Sequence, residues 1–161
     1  QVHYGSTLGE DAAAISDLIS SQSEAKIVIH TGWARHAERK AEWALVDGSA
    51  SAPMKHHLAY FDALLKMLRQ AHPSRIFSRT QAMDLLQLVE EDIAAGEAPI
   101  DKVEDLYRDK VHINTVTGRY LMHNAMRAAL GQPRSAEGFD KLPPEMKMYL
   151  DSVLDRQLDS R

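Results

Sequence analysis

The chain has 161 residues, 44% of them hydrophobic and 26% charged, which is enough apolar material for one soluble core and too little bias to name a class. A net charge of −4, with no basic run longer than a couple of residues, argues against phosphate contacts along a nucleic acid. The absence of cysteine removes disulfides, zinc ribbons and thiol nucleophiles, and no apolar run approaches the roughly 20 residues that a membrane span requires.

Thr7 and Glu10 have the spacing of a capping box, and Ile15, Leu18 and Ile19 then share one face, so a short amphipathic helix is predicted over 12–20. Lys26 to His30 follows as a β-branched run without alternation, the pattern of a strand buried on both faces of a parallel sheet. Residues 31–52, around Trp33 and Trp43, lose periodicity and read as a long, partly helical excursion. Pro53 suits the first turn of a helix, and Leu58, Phe61, Leu65 and Leu68 continue it until His72 and Pro73. Arg75 to Ser78 is a second short strand, and a helix over about 80–95 follows, with Met83, Leu86, Val89 and Ile93 inward and Gly96 as its stop.

Residues 99–114 are mixed. Asn114 or Thr115 can then cap a helix to Leu130, closed by Gly131 and Pro133. A last helix begins at Pro143 and Pro144, with Met146, Tyr149, Leu150, Val153 and Leu154 as its buried stripe. Helix-strand alternation predicts an α/β fold in a single domain over 1–161, with 134–161 as a C-terminal helical extension. About five helices against two or three strands is unbalanced for a doubly wound sheet, so further strands are expected before Gln1, with Gln1 to His3 as the tail of one. The first residues carry no charged-then-apolar targeting pattern and do not choose between cytoplasm and export.

The pair that best fits chemistry is Asp109 and His112, on a loop entering a helix. A carboxylate three residues before a histidine can turn back to accept from the imidazole Nδ1, leaving Nε2 to take a proton from a nucleophile. Spacing alone is weak, and the bland reading is a surface aspartate beside a helix-entry histidine. Trp33, Arg35 and His36 follow a predicted parallel strand, at the edge where open α/β sheets place ligands; taken alone they read more simply as a tryptophan packed under the loop with a solvated arginine and histidine. Ser6, between Gly5 and Gly9, is the one serine on a glycine-flanked turn before a helix, and a capping turn explains it without catalysis. The eight histidines include no His-Glu-x-x-His, and His56 and His57, being adjacent, point apart on a helix, so no dedicated metal site or cofactor is expected.

The block from Asp105 through Asp109, His112 and Asn114 to Gly118, Arg119, Tyr120 and Leu121 resembles the last block of SGNH (GDSL-like) hydrolases. The turn at Thr31 to Arg35 and the helix exit at Leu130 to Pro133 are similar to parts of some members. The resemblance implies a three-layer α/β/α architecture with a parallel sheet, His112 as general base, Asp109 as its orienting acid, and hydrolysis of a carboxylic ester on a carbohydrate or small alcohol. Trp33 and Arg35 are the residues expected to bind substrate. The family's Gly-Asp-Ser and Gly-x-Asn-Asp blocks do not occur here, so the nucleophile is expected from a segment upstream. The competing expectation is a binding domain that keeps the architecture without a nucleophile.

Overall fold

The computed structural model describes residues 5–22 and 25–159, so the strand tail expected at Gln1 to His3 lies outside the described residues. The chain is mixed α/β and gathers into two compact units, one built from residues up to Ile29 together with 38–79, the other from 30–37 together with residues from Thr80 onward.

In the first unit, α1 (Leu8–Ser20) starts with the predicted capping box: the Thr7 backbone N–H donates to Glu10 Oε2 at 2.8 Å, and Glu10 N–H donates back to Thr7 Oγ1. Its buried face, Leu8, Ala12 and Ile19, belongs to a core with Tyr60, Phe61, Leu64, Leu65 and Leu68 of α3 (Leu58–Ala71), against which α1 packs. Asp11 is buried in that face, and the Tyr60 hydroxyl donates to it. β1 (Ile27–Ile29) and β2 (Phe77–Arg79) pair in parallel, Ile27 opposite Phe77 and Ile29 opposite Arg79. The sheet among the described residues has two strands, so each keeps an open edge, and β1 is half-buried where burial on both faces was expected.

Pro53 is not in a helical turn. It forms an antiparallel bridge with Thr7, flanked by Leu8 N–H to Ala52 O and Met54 N–H to Ser6 O, both 2.9 Å, and α3 begins only at Leu58. A bridge position that asks for no N–H tolerates proline as well as a first helical turn does. The excursion contains α2 (Arg39–Trp43), whose buried Glu42 ties the chain back on itself: Oε2 accepts from His56 N–H at 2.8 Å and lies 3.0 Å from His56 Nδ1.

The second unit is helical. α4 (Ala82–Ala95) packs against a 3-10 turn (Val103–Leu106), α5 (Thr117–Leu130) and α6 (Pro144–Asp159), and α5 also packs on α6. Leu85, Leu86, Val89, Leu121, Ala125, Leu150 and Val153 are buried. Gly96 and Gly131 end α4 and α5 in the left-handed region, at φ 75° and 73°, as their positions after the last apolar residue predict. No helix among the described residues is long and apolar enough to cross a membrane.

Asp92 of α4 is 4% exposed and receives both guanidinium nitrogens of Arg156, at 2.8 and 2.5 Å, and the Tyr149 hydroxyl at 2.8 Å. Burial pushes its carboxyl up, but these donors and the Arg156 charge outweigh burial and hold it below its ordinary value. A depressed carboxylate contributes stability above its unfolded pKa, and loses it as pH falls through the folded one. Asp92→Ala strands a tyrosine hydroxyl and a half-exposed arginine that water can partly re-solvate, so urea unfolding should report a loss of about 1–2 kcal/mol at neutral pH. That difference should shrink as the pH is lowered below 4.

Candidate active site

The loop after the 3-10 turn folds back as a miniature hairpin. Tyr107 and Ile113 form an antiparallel bridge, Arg108 N–H donates to His112 O at 2.8 Å, and Asn114 N–H donates to Leu106 O at 2.8 Å. Asp109 closes its tip: Oδ1 accepts from Val111 N–H at 2.9 Å and His112 N–H at 2.8 Å, an Asx-type turn. The same carboxylate lies 2.9 to 3.0 Å from His112 Nδ1. The nearby carboxylate selects the tautomer with the proton on Nδ1, and Nε2 has no hydrogen-bond partner among the described residues. The backbone N–H groups of His112 and Val111, and then the His112 ring, hold the Asp109 carboxyl well below the usual carboxylate range. Both side chains are open to water, Asp109 at 49% and His112 at 60% exposure.

Asn114 joins this loop to α5. Its Oδ1 accepts from Val116 N–H at 3.0 Å and Gly118 N–H at 3.1 Å, and its Nδ2 donates to Asp105 O and Thr117 Oγ1, each at 2.7 Å. The cap position expected at Asn114 or Thr115 is instead Val116, whose side chain makes no cap bond, and Asn114 supplies the acceptor from two residues earlier. Gly118 is fixed by crowding: a Cβ there would lie 2.2 Å from Leu106 O and 2.3 Å from Ile113 Cγ2.

The 30–37 segment is anchored to the same loop by hydrogen bonds. Trp33 Nε1 donates to Val111 O at 2.6 Å, Tyr107 Oη donates to Ala34 O at 3.0 Å, and His36 N–H donates to Lys110 O at 3.2 Å. At its start, buried Thr31 and Thr80 interlock, Thr31 N–H donating to Thr80 Oγ1 at 3.0 Å and Thr31 Oγ1 to Thr80 O at 3.1 Å. The structure therefore brings Trp33 to the Asp109–His112 loop. Arg35 is exposed on the segment between, and is not among the residues lining the depression there. Ser6 belongs to the first unit, where its carbonyl accepts from Met54 in the bridge that holds Pro53.

That depression, of about 290 Å³, is lined by Trp33, His112, Thr115, Met122 and two arginines, Arg108 and Arg119. Sequence reasoning missed both arginines as site residues. A signal existed for Arg119: it stands in the first turn of α5, where the helix dipole disfavours a cation. No group of three or more metal-ligating side chains occurs among the described residues.

No protein-family model, curated protein or solved structure matches the chain.

Gly118→Ala should destabilise the second unit by about 1–3 kcal/mol, because the collision is with backbone, and should shift the His112 and Ile113 amide resonances. Titration of the Asp109 carboxyl by carbon NMR should find its midpoint below that of an unstructured aspartate; the loop's Asx turn then persists at neutral pH and loosens only as acid protonates it.

Proposed function

We propose that this chain carries the acid-base half of an SGNH-type serine hydrolase that cleaves carboxylic esters of a carbohydrate or small alcohol, on a three-layer α/β/α plan. The observation that carries the reading is the Asp109–His112 contact at 2.9 Å, with Nε2 unpartnered on a residue that lines a 290 Å³ depression.

In this mechanism a serine oxygen attacks the ester carbonyl carbon while His112 Nε2 takes its proton. Asp109, already ionised and bonded to Nδ1, stabilises the imidazolium. Collapse of the tetrahedral adduct breaks the bond to the alcohol oxygen, which leaves with the proton from Nε2. Water, deprotonated by the same nitrogen, then releases the acid and regenerates the serine. Trp33 forms a wall of the depression, held by its bond to Val111 O, whereas Arg35, which does not line it, has no part in this reading. The nucleophile and the oxyanion donors are assigned to a segment other than this lining, which holds Thr115 and no serine.

A second reading has its own support. The Asp109 carboxylate is already used by two backbone N–H groups to shape a turn, so the pair can exist for structure alone, in a binding domain without turnover. The two readings separate on one experiment with the protein expressed from its whole gene. A fluorophosphonate probe should label one serine, and short-chain acyl esters should be hydrolysed. His112→Ala should lower kcat by about 1,000-fold or more. Asp109→Asn, which keeps an oxygen for the turn but loses the charge, should cost a comparable factor, with any loss of stability no larger than acid protonation of Asp109 causes in the unsubstituted protein. Undiminished hydrolysis or labelling in His112→Ala, or no labelling of the unsubstituted protein, overturns the hydrolase reading.

A further inference from the structure

We infer that the depression beside His112 binds an anionic ligand, a small molecule with an apolar body and one carboxylate-like group, and that Arg119 is the residue that selects it. The inference deepens the hydrolase reading by naming the charge of its substrate.

The lining contains two guanidiniums and an imidazole and no carboxylate, in a protein whose net charge is −4. Arg108 lies 3.6 Å from Asp109 and is partly compensated. Arg119 is not: its guanidinium carbon rests 5.1 Å from the Phe139 ring centroid, and no carboxylate or carbonyl meets it among the described residues. A cation over an aromatic ring uses none of its N–H groups on an acceptor, so a guanidinium held this way keeps its forked donors for an oxyanion.

Other arginines of the same unit are treated differently. Arg156 is clamped to Asp92, and Arg134 reaches Asp155 at 2.5 Å and Asp151 at 3.1 Å. Arg119 also stands against the positive end of α5, a position that raises its energy until an anion arrives. The rest of the wall is apolar in character, with the Trp33 ring and the largely buried Met122 to receive a hydrophobic body. Charge at the arginine edge and apolar surface beside it therefore describe one ligand class.

The test is binding by this chain, with benzoate as the anionic probe and benzyl alcohol as its neutral counterpart, at matched ionic strength and followed by backbone amide shifts. Benzoate should move the signals of Ile113 to Met122 and the Trp33 indole, and should bind more tightly than benzyl alcohol. Arg119→Gln should weaken benzoate by about 10- to 100-fold, the range of one charge-assisted pair, and leave benzyl alcohol unchanged. Arg119→Lys should retain a preference for benzoate. Equal affinity for the two probes, or undiminished benzoate binding in Arg119→Gln with an unchanged unfolding curve, overturns the inference. The readout needs neither serine nor turnover, so its failure is separate: an active esterase with no anion preference sinks this inference alone, and benzoate binding by this chain with no hydrolysis by the protein from its whole gene sinks the hydrolase reading alone.

Discussion

The candidate site depends on one close approach, that of the first turn of α5 to the loop that precedes it. Leu106 O and Ile113 Cγ2 occupy the space that any side chain at position 118 would need. Because residue 118 is glycine, the helix can start against the loop, Asn114 can serve the N–H groups of Val116 and Gly118, and the strand-like bridge between Tyr107 and Ile113 can close. The 30–37 segment then finds carbonyls at Lys110 and Val111 in position to accept its hydrogen bonds. Each of these contacts would move if the helix were displaced by the radius of a methyl group.

Asp109 shows how one carboxylate can serve structure and chemistry without conflict. Its bonds to backbone N–H groups favour the ionised form and keep the charge where the His112 ring can use it. The same bonds fix the carboxylate relative to the ring without help from burial, which matters because the pair is open to water. In such a setting the Coulomb attraction between Asp109 and an imidazolium is screened, and geometry rather than dielectric supplies most of the advantage. A solvent-excluding partner or a bound ligand would strengthen the pair by displacing that water.

Much of the local structure was legible because its causes are local. The Thr7–Glu10 box, the glycine stops at Gly96 and Gly131 and the Asp109 to His112 turn each depend on residues a few positions apart. What escaped was set by distant segments. Pro53 carries the same φ restriction in a bridge as in a helical turn, and only the arrival of Thr7 decides between them. Ile27 to Ile29 reads as a strand from its branching, yet how deeply it is buried depends on how many neighbours it acquires. Gly118 looked like a motif residue, and its reason, a carbonyl twelve positions upstream, is invisible in a linear reading. The arginines of the depression were hidden for the opposite reason: surface arginines are common, and what sets Arg119 apart is that no carboxylate meets it among the described residues.

That absence can be weighed against how the same unit spends its acidic residues. Asp92, Asp151 and Asp155 all lie along the α4 and α6 side, where they take up Arg156, Arg134 and Lys147. Tyr120 of α5 joins them through its hydroxyl, 2.7 Å from Asp151. The residue before it, Arg119, meets none of these carboxylates among the described residues and lies over Phe139, the ring that Tyr120 also meets edge-on at 5.1 Å. Neighbouring residues of a helix point about 100° apart, so residues 119 and 120 share Phe139 but differ in what else they meet. Tyr120 is buried among compensated charges, while Arg119 is left on the face shared with His112. Arg119 is exposed, where an ion pair would add little to stability. What holds α5 in place is the buried side of the helix and its Gly118 contact, so the Arg119 charge beside His112 can be changed without disturbing them, which is what makes the inferred anion preference separable from stability.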